Sequence, residues 1–330
     1  MLRFLVALSL VAAACAAPAP TADQDSPPTS WEPVTEPEST AQVEISWAGQ
    51  ALAVELDGQP FTSFHARLPG TPYLYPLLAP GGLAVTRGFP MDLQDGAPRE
   101  GESSDHPHHT SLWLAHGEVN GHDFWHADDT RITTTSLVGA GNRIESTHAW
   151  LAAERVIATE WRTLTFGGDE SGRWIDLDVR LVPEAGSLIF GDTKEGTFAL
   201  RLAPTLRVDG PVAAGSLLDS EGRQDGALWG QRARWVAALG PVPGGDVTVA
   251  IFDAPTNPRH PTTWHARTYG LLAANPFGLH DFQGAPAGAG DLIVEGPLVL
   301  RYRVWLAAGR ADPEAIEAAW QRYAGRASRP

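Results

Sequence analysis

The stretch DHPHHTSLWLAHGEVNGHDFWH, residues 105–126, holds six of the 11 histidines in this 330-residue chain. Imidazole ligates divalent metals, moves protons near neutral pH and hydrogen-bonds polar substrates, so a cluster this dense points to a functional pocket. Residues two apart in an extended chain share a face, which lets His106 and His108 point together across Pro107. No HExxH is present and no cysteine partner lies nearby, so the spacing matches no recognised zinc pattern. Substrate binding or proton transfer by His106, His108 and His116 is therefore favoured, with His109 as a substrate contact. Metal ligation by His106, His108 and His116 is the alternative; a divalent ion would suit them, but the sequence requires no cofactor. His122 and His126, past the glycine loop, read as peripheral.

A second constellation is GDTKEGTFALRLA, residues 191–203. Of the 24 Lys and Arg residues only Lys194 is a lysine, a compact ammonium with a tunable pKa. Lys194 and Glu195 are candidate catalytic groups. On a strand Glu195, Thr197, Ala199 and Arg201 share a face, which makes Arg201 a candidate substrate contact. A third is NPRHPTTWHARTYGLLAANPFGLHDF, residues 257–282. Its alternation sets His265, Arg267 and Tyr269 on one face; His265 is a candidate acid/base group, and Arg259, His260 and Arg267 are candidate substrate contacts. A fourth, residues 70–92, carries Tyr73, Tyr75 and Arg87. These line a sugar-sized cleft, where aromatic faces stack on pyranose rings, or belong to the core and rim of the fold.

The elements that position these residues are strands. Helical periodicity is scarce, and short period-two runs such as Ile175–Leu181, Thr197–Leu202 and Leu298–Leu306 are separated by turns drawn from 34 glycines and 27 prolines. Thr110–His116 reads as a strand with Leu112, Leu114 and His116 on one face and Ser111, Trp113 and Ala115 on the other. Both faces are largely apolar, so it is covered on both sides, with His116 at its end beside a pocket mouth. The one clear helix spans 312–324, with Asp312 as N-cap and Pro313 in the first turn. The expected fold is all-β: a large antiparallel sandwich with a short C-terminal helix.

Before the body, residues 1–14 read as a signal peptide: one arginine, an apolar run too short to span a bilayer, then small residues. Cys15, the only cysteine, follows three alanines and is a candidate lipidation site; ordinary secretion is the other reading. Residues 15–41 are rich in Pro, Ser, Thr and acid and read as a tether, leaving 42–330 as a single domain. The chain is thus expected at the cell envelope, held by a lipid anchor or secreted. A net charge of −15 argues against nucleic acid as a partner.

Four motifs resemble a bacterial family labelled methane oxygenase PmoA-like. They are the Pro-Tyr-x-x-Pro and Thr-Arg-Gly-Phe-Pro run, Asp-His-Pro-His-His-x-Ser-Leu-Trp, Lys-Glu-Gly, and Asn-Pro-Arg-His-Pro with Asn-Pro-Phe-Gly. The resemblance spans about residues 65–306. It implies exported proteins of polysaccharide-degrading bacteria, and a supersandwich similar to aldose epimerases and some polysaccharide lyases. Methane oxidation itself is rejected, because the true oxygenase subunit spans the membrane repeatedly and this body has no apolar run of that length. An epimerase base would be a C-terminal Glu, for which Glu295 is a loose match. The leading expectation is a carbohydrate-active lyase, epimerase or hydrolase acting on a sugar or oligosaccharide. A non-catalytic carbohydrate-binding lipoprotein and a His-ligated metal enzyme are the alternatives.

Overall fold

The computed structural model describes residues 39–66 and 70–327. The expected signal peptide, Cys15 and most of the tether lie outside them.

Two antiparallel eight-stranded sheets make up most of the body. The first runs Val43–Ala48, Ala51–Leu56, Gln59–His65, Tyr73–Leu74, Leu112–His116, Gly196–Arg201, Leu271–Ala274 and Trp264–Arg267. The second runs Ser216–Asp219, Trp235–Val242, Gly245–Asp253, Leu298–Ala308, Gly172–Pro183, Arg155–Asp169, Arg143–Ala152 and Thr130–Ala140. Apolar side chains of both sheets join in one cluster, in which Phe198 stacks on Tyr302 at 5.1 Å and Phe61 meets Phe166 edge-on at 6.2 Å. The all-β sandwich is therefore as expected. Among the described residues no helix is long and apolar enough to cross a membrane.

The expected period-two runs are strands, each longer than or shifted slightly from its sequence estimate. The C-terminal helix spans Pro313–Ala327, and the Asp312 carbonyl accepts the first bonds from Ala315 and Ile316. Its apolar stripe, Ile316, Ala319 and Tyr323, packs in a second cluster with Trp174, Trp235, Phe252 and Trp305 from the second sheet. That helix covers the sheet's outer face and adds a layer to the sandwich.

Strand register decides which side chains reach the outer face of the first sheet. Residues paired across neighbouring strands point the same way. One row runs Tyr73, Trp113, Ala199, Ala273 and His265; the row beside it carries Arg201, Leu271 and Arg267. Phe198, from the alternate set, faces Tyr302 in the other sheet, so these two rows face outward.

Candidate functional site

At one end of the outward rows, the turn Asp105–His109 brings four histidines and two tryptophans together. His106 lies parallel to His109 (ring centroids 4.7 Å) and to Tyr269 (5.4 Å). His108 meets His109 and His126 edge-on, each at 4.5 Å. His109 is 1% exposed and stacks on Trp113 at 5.2 Å, while Trp125 stands 5.1 Å from Trp113. His126, read from sequence as peripheral, is thus part of the cluster. The short Val119–His122 bridge folds the chain back and makes this contact.

Asp105 organises the turn. Its carboxylate accepts from Arg87 Nη1 at 2.9 Å, from Arg201 Nη2 at 3.0 Å and from Ser103, and it pairs with His106 Nδ1 at 2.5 Å. Burial would raise this carboxyl, but hydrogen bonds from Ser103 and His106 and the charges of Arg201 and Arg87 hold it well below the usual carboxylate range. An ionised carboxylate only accepts, so Nδ1 is the donor of this pair and Nε2 is the nitrogen turned away from it. The imidazole is about two-fifths exposed, so that nitrogen is within reach of a substrate. This is the Asp–His arrangement that orients a general base.

Two of the neighbouring imidazoles, His108 and His109, are held in the neutral form. Burial, with the charges of His126 and His106, lowers His108 to about 4. Burial chiefly lowers His109 far below its ordinary value, and His109 Nδ1 accepts from Arg201 Nη1 at 3.4 Å. Buried polar atoms of this region without a partner are His108 Nε2, Thr110 Oγ1, Ser111 Oγ, Trp125 Nε1 and Arg201 Nε.

Beyond Tyr269 the surface continues. The Arg201 guanidinium lies 4.6 Å over the Tyr269 ring; Arg267 lies 5.5 Å from it and 4.6 Å over Trp229. The Tyr269 hydroxyl also senses the charges of Glu195 and Asp105. Glu195 pairs with Lys194 at 3.1 Å. The histidine turn, Arg201 and Arg267 thus meet around Tyr269, whose hydroxyl also feels the Glu195 charge.

Other candidates go elsewhere. His116 is 0% exposed; its Nε2 donates to Gly191 O at 2.9 Å, and it packs against Phe190 and Phe277. Strand parity is the reason, since His116 falls on the inward set with Leu112 and Leu114, so it stands at no pocket mouth. The metal set His106, His108 and His116 is not assembled. Among the described residues no three His, Cys, Asp or Glu side chains are placed to hold an ion. His265 faces outward but is 3% exposed, donates from Nδ1 to Lys194 O at 2.8 Å and is covered by Trp229 and Phe282. Burial lowers His116 to about 4 and His265 to about 3.

Arg87 is 2% exposed and spends its donors on Asp105 and on the carbonyls of Phe89, Asp105 and His106. It holds the turn and offers nothing to a ligand. Arg259 donates to the carbonyls of Pro276, Gly290 and Asp291, a loop staple. His260 pairs with Asp253 at 2.7 Å and lies parallel to Trp320 of the C-terminal helix, so this expected substrate contact is engaged away from the histidine turn. Tyr73 is buried and stacked on His65 at 4.8 Å.

Sequence reading passed over Trp113, Trp125, Tyr269 and Trp229 as site residues. Tyr269 lay in the noted alternation with His265 and Arg267; no local signal marks Trp229. A cleft of about 410 Å³ lies elsewhere, between Trp235 and Glu317, and shares no residue with the histidine turn.

Residues 51–321 match the model of a family of unknown function, DUF6807. The chain belongs to this family. The DUF6807 segment contains every site residue described above. No curated protein matches the chain. Among solved structures it is similar to a 4-alpha-glucanotransferase from Thermococcus litoralis, at 11% identity and a TM-score of 0.33. That match covers 81% of this chain and 39% of the other, so the chain spans about two-fifths of that enzyme's length.

Proposed function

We propose that this chain is a carbohydrate-active enzyme that moves a proton at a sugar carbon or glycosidic oxygen, as lyases, epimerases and hydrolases do. The observation that carries the reading is the Asp105–His106 pair: a carboxylate fixed by two arginines orients an accessible imidazole whose Nε2 is turned away from it to act as base. The aromatic faces of Tyr269 and Trp229 beside it suit the apolar faces of a pyranose ring. The resemblance to exported proteins of polysaccharide-degrading bacteria supports the same substrate class. Glu195 is placed near Tyr269 as a second carboxylate of the site, and His116 and His265 act by holding the loop that carries it.

The test is turnover of a panel of neutral and acidic oligosaccharides in D₂O, read by mass spectrometry for cleavage, unsaturation or deuterium at carbon. The wild-type chain is expected to turn over at least one class, and His106→Gln to lose about 10²- to 10⁴-fold in rate. Equal rates for both proteins would end the general-base role. Sugar binding without any turnover would instead make this surface a binding module.

A further inference from the structure

We infer that Arg267 is the receptor for a substrate carboxylate, which makes the substrate a uronic-acid-containing saccharide; this rests on the carbohydrate reading above. Arg267 ends the Trp264–Arg267 strand opposite Leu271, which is itself opposite Arg201. The two arginines thus stand on one face of the sheet with a single strand between them, and both guanidiniums approach the Tyr269 ring.

Their partners differ. Arg201 is neutralised by Asp105 at 3.0 Å, and Lys194 by Glu195 at 3.1 Å. Among the described residues the Arg267 guanidinium makes no hydrogen bond or ion pair; it lies against the faces of Trp229 and Tyr269. A free arginine side chain samples many rotamers, and two rings that hold it in place remove much of the entropic cost of fixing it before a ligand arrives. What the fork then lacks is a planar anion, and a carboxylate matches it with two parallel bonds where a sugar hydroxyl offers only one.

Arg201, beside Arg267, is also short of acceptors. Arg201 is 1% exposed, yet its Nε has no partner, and Trp125 Nε1 and His108 Nε2 nearby are likewise buried and unsatisfied. Arg201 Nε and Trp125 Nε1 are donors without an acceptor, in a chain whose net charge is −15.

The assignment has a chemical consequence. His106 and Arg267 flank the same tyrosine, at 5.4 Å and 5.5 Å from its ring. With the carboxylate on Arg267, His106 Nε2 takes the proton from the carbon that bears the carboxylate. The C–H electron pair moves into the carboxyl group, where the guanidinium faces the added charge. Return of a proton to that carbon restores neutral imidazole.

The experiment is calorimetric titration of the full chain with trigalacturonate and with glucuronate-containing disaccharides, each as the free acid and as the methyl ester. Esterification removes the charge and leaves the sugar. The wild type is expected to prefer the acid, and Arg267→Gln to weaken acid binding about 10- to 100-fold while changing ester binding less than about twofold. Arg267→Lys, which keeps the charge and loses the fork, is expected to fall between them. Thermal unfolding of each variant confirms that it is folded. If acid and ester bind the wild type equally, or Arg267→Gln weakens both alike, the carboxylate assignment falls and the sugar reading stands. If none of these sugars binds, the carboxylate assignment falls, and turnover of the neutral oligosaccharides decides the sugar reading separately.

Discussion

At the scale of single residues, Asp105 does two jobs that a substitution can separate. It is the counter-ion of two nearly buried guanidiniums, Arg87 and Arg201, and it orients His106. Breaking a buried ion pair costs about 3–5 kcal/mol, because the remaining charge stays desolvated without a partner. Asp105→Asn is therefore expected to lose that much stability in urea unfolding. His106→Gln leaves both arginines paired and is expected to cost roughly 1 kcal/mol or less. Equal losses in the two variants would show that the carboxylate is not the arginine counter-ion. The adjacency of Asp105 and His106 was legible in the sequence, and so was Arg201 as a polar residue on a useful face. Their contact was not, because the two sides are 96 positions apart and meet only through pairing of nonlocal strands.

At the scale of elements, the loop 191–195 shows why histidines that looked catalytic are not at the surface. His116 holds the Gly191 carbonyl, Asn275 that of Thr193 and His265 that of Lys194. Two strands and the residue that follows a third thus fix the turn that presents Lys194 and Glu195. Alternation along Leu112–His116 was legible, but it leaves open which of two apolar faces meets the other sheet, and His116 follows from that choice alone. The staples carry a pH signature. Burial lowers His116 from 6.5 to about 4 in the folded chain, so below pH 6.5 the unfolded chain takes up a proton that the folded chain refuses. Stability is full above about pH 7 and is lost as pH falls from 6.5 toward 4. At pH 5 His116 alone removes about 2 kcal/mol, and His265 acts in the same direction. His116→Gln keeps an N–H for Gly191 and cannot titrate, so its loss between pH 7 and pH 5 is expected to be smaller by about that amount. A variant as pH-sensitive as the wild type would assign the acid lability to other groups.

At the scale of the whole molecule, the two outer faces have different occupants. The second sheet is covered by its own C-terminal helix, whereas the first sheet presents the histidine turn and the Tyr269–Arg267–Trp229 surface. The main core lies between them, so a defect under the helix should be felt as lost stability and not as lost function. Ile316 is 0% exposed and belongs to the helix cluster, none of whose members touches the histidine turn. Ile316→Ala deletes buried methyl groups and leaves a cavity, which costs about 2–5 kcal/mol. A domain of ordinary stability, about 5–15 kcal/mol, stays folded at 25 °C after such a loss. The expected result is a lower urea midpoint, with acid-sugar affinity and turnover within about twofold of wild type, since sites without shared partners behave additively. A parallel fall in affinity under conditions where the variant is folded would mean that the two sheets slide on each other. The site would then depend on the packing of the distant helix.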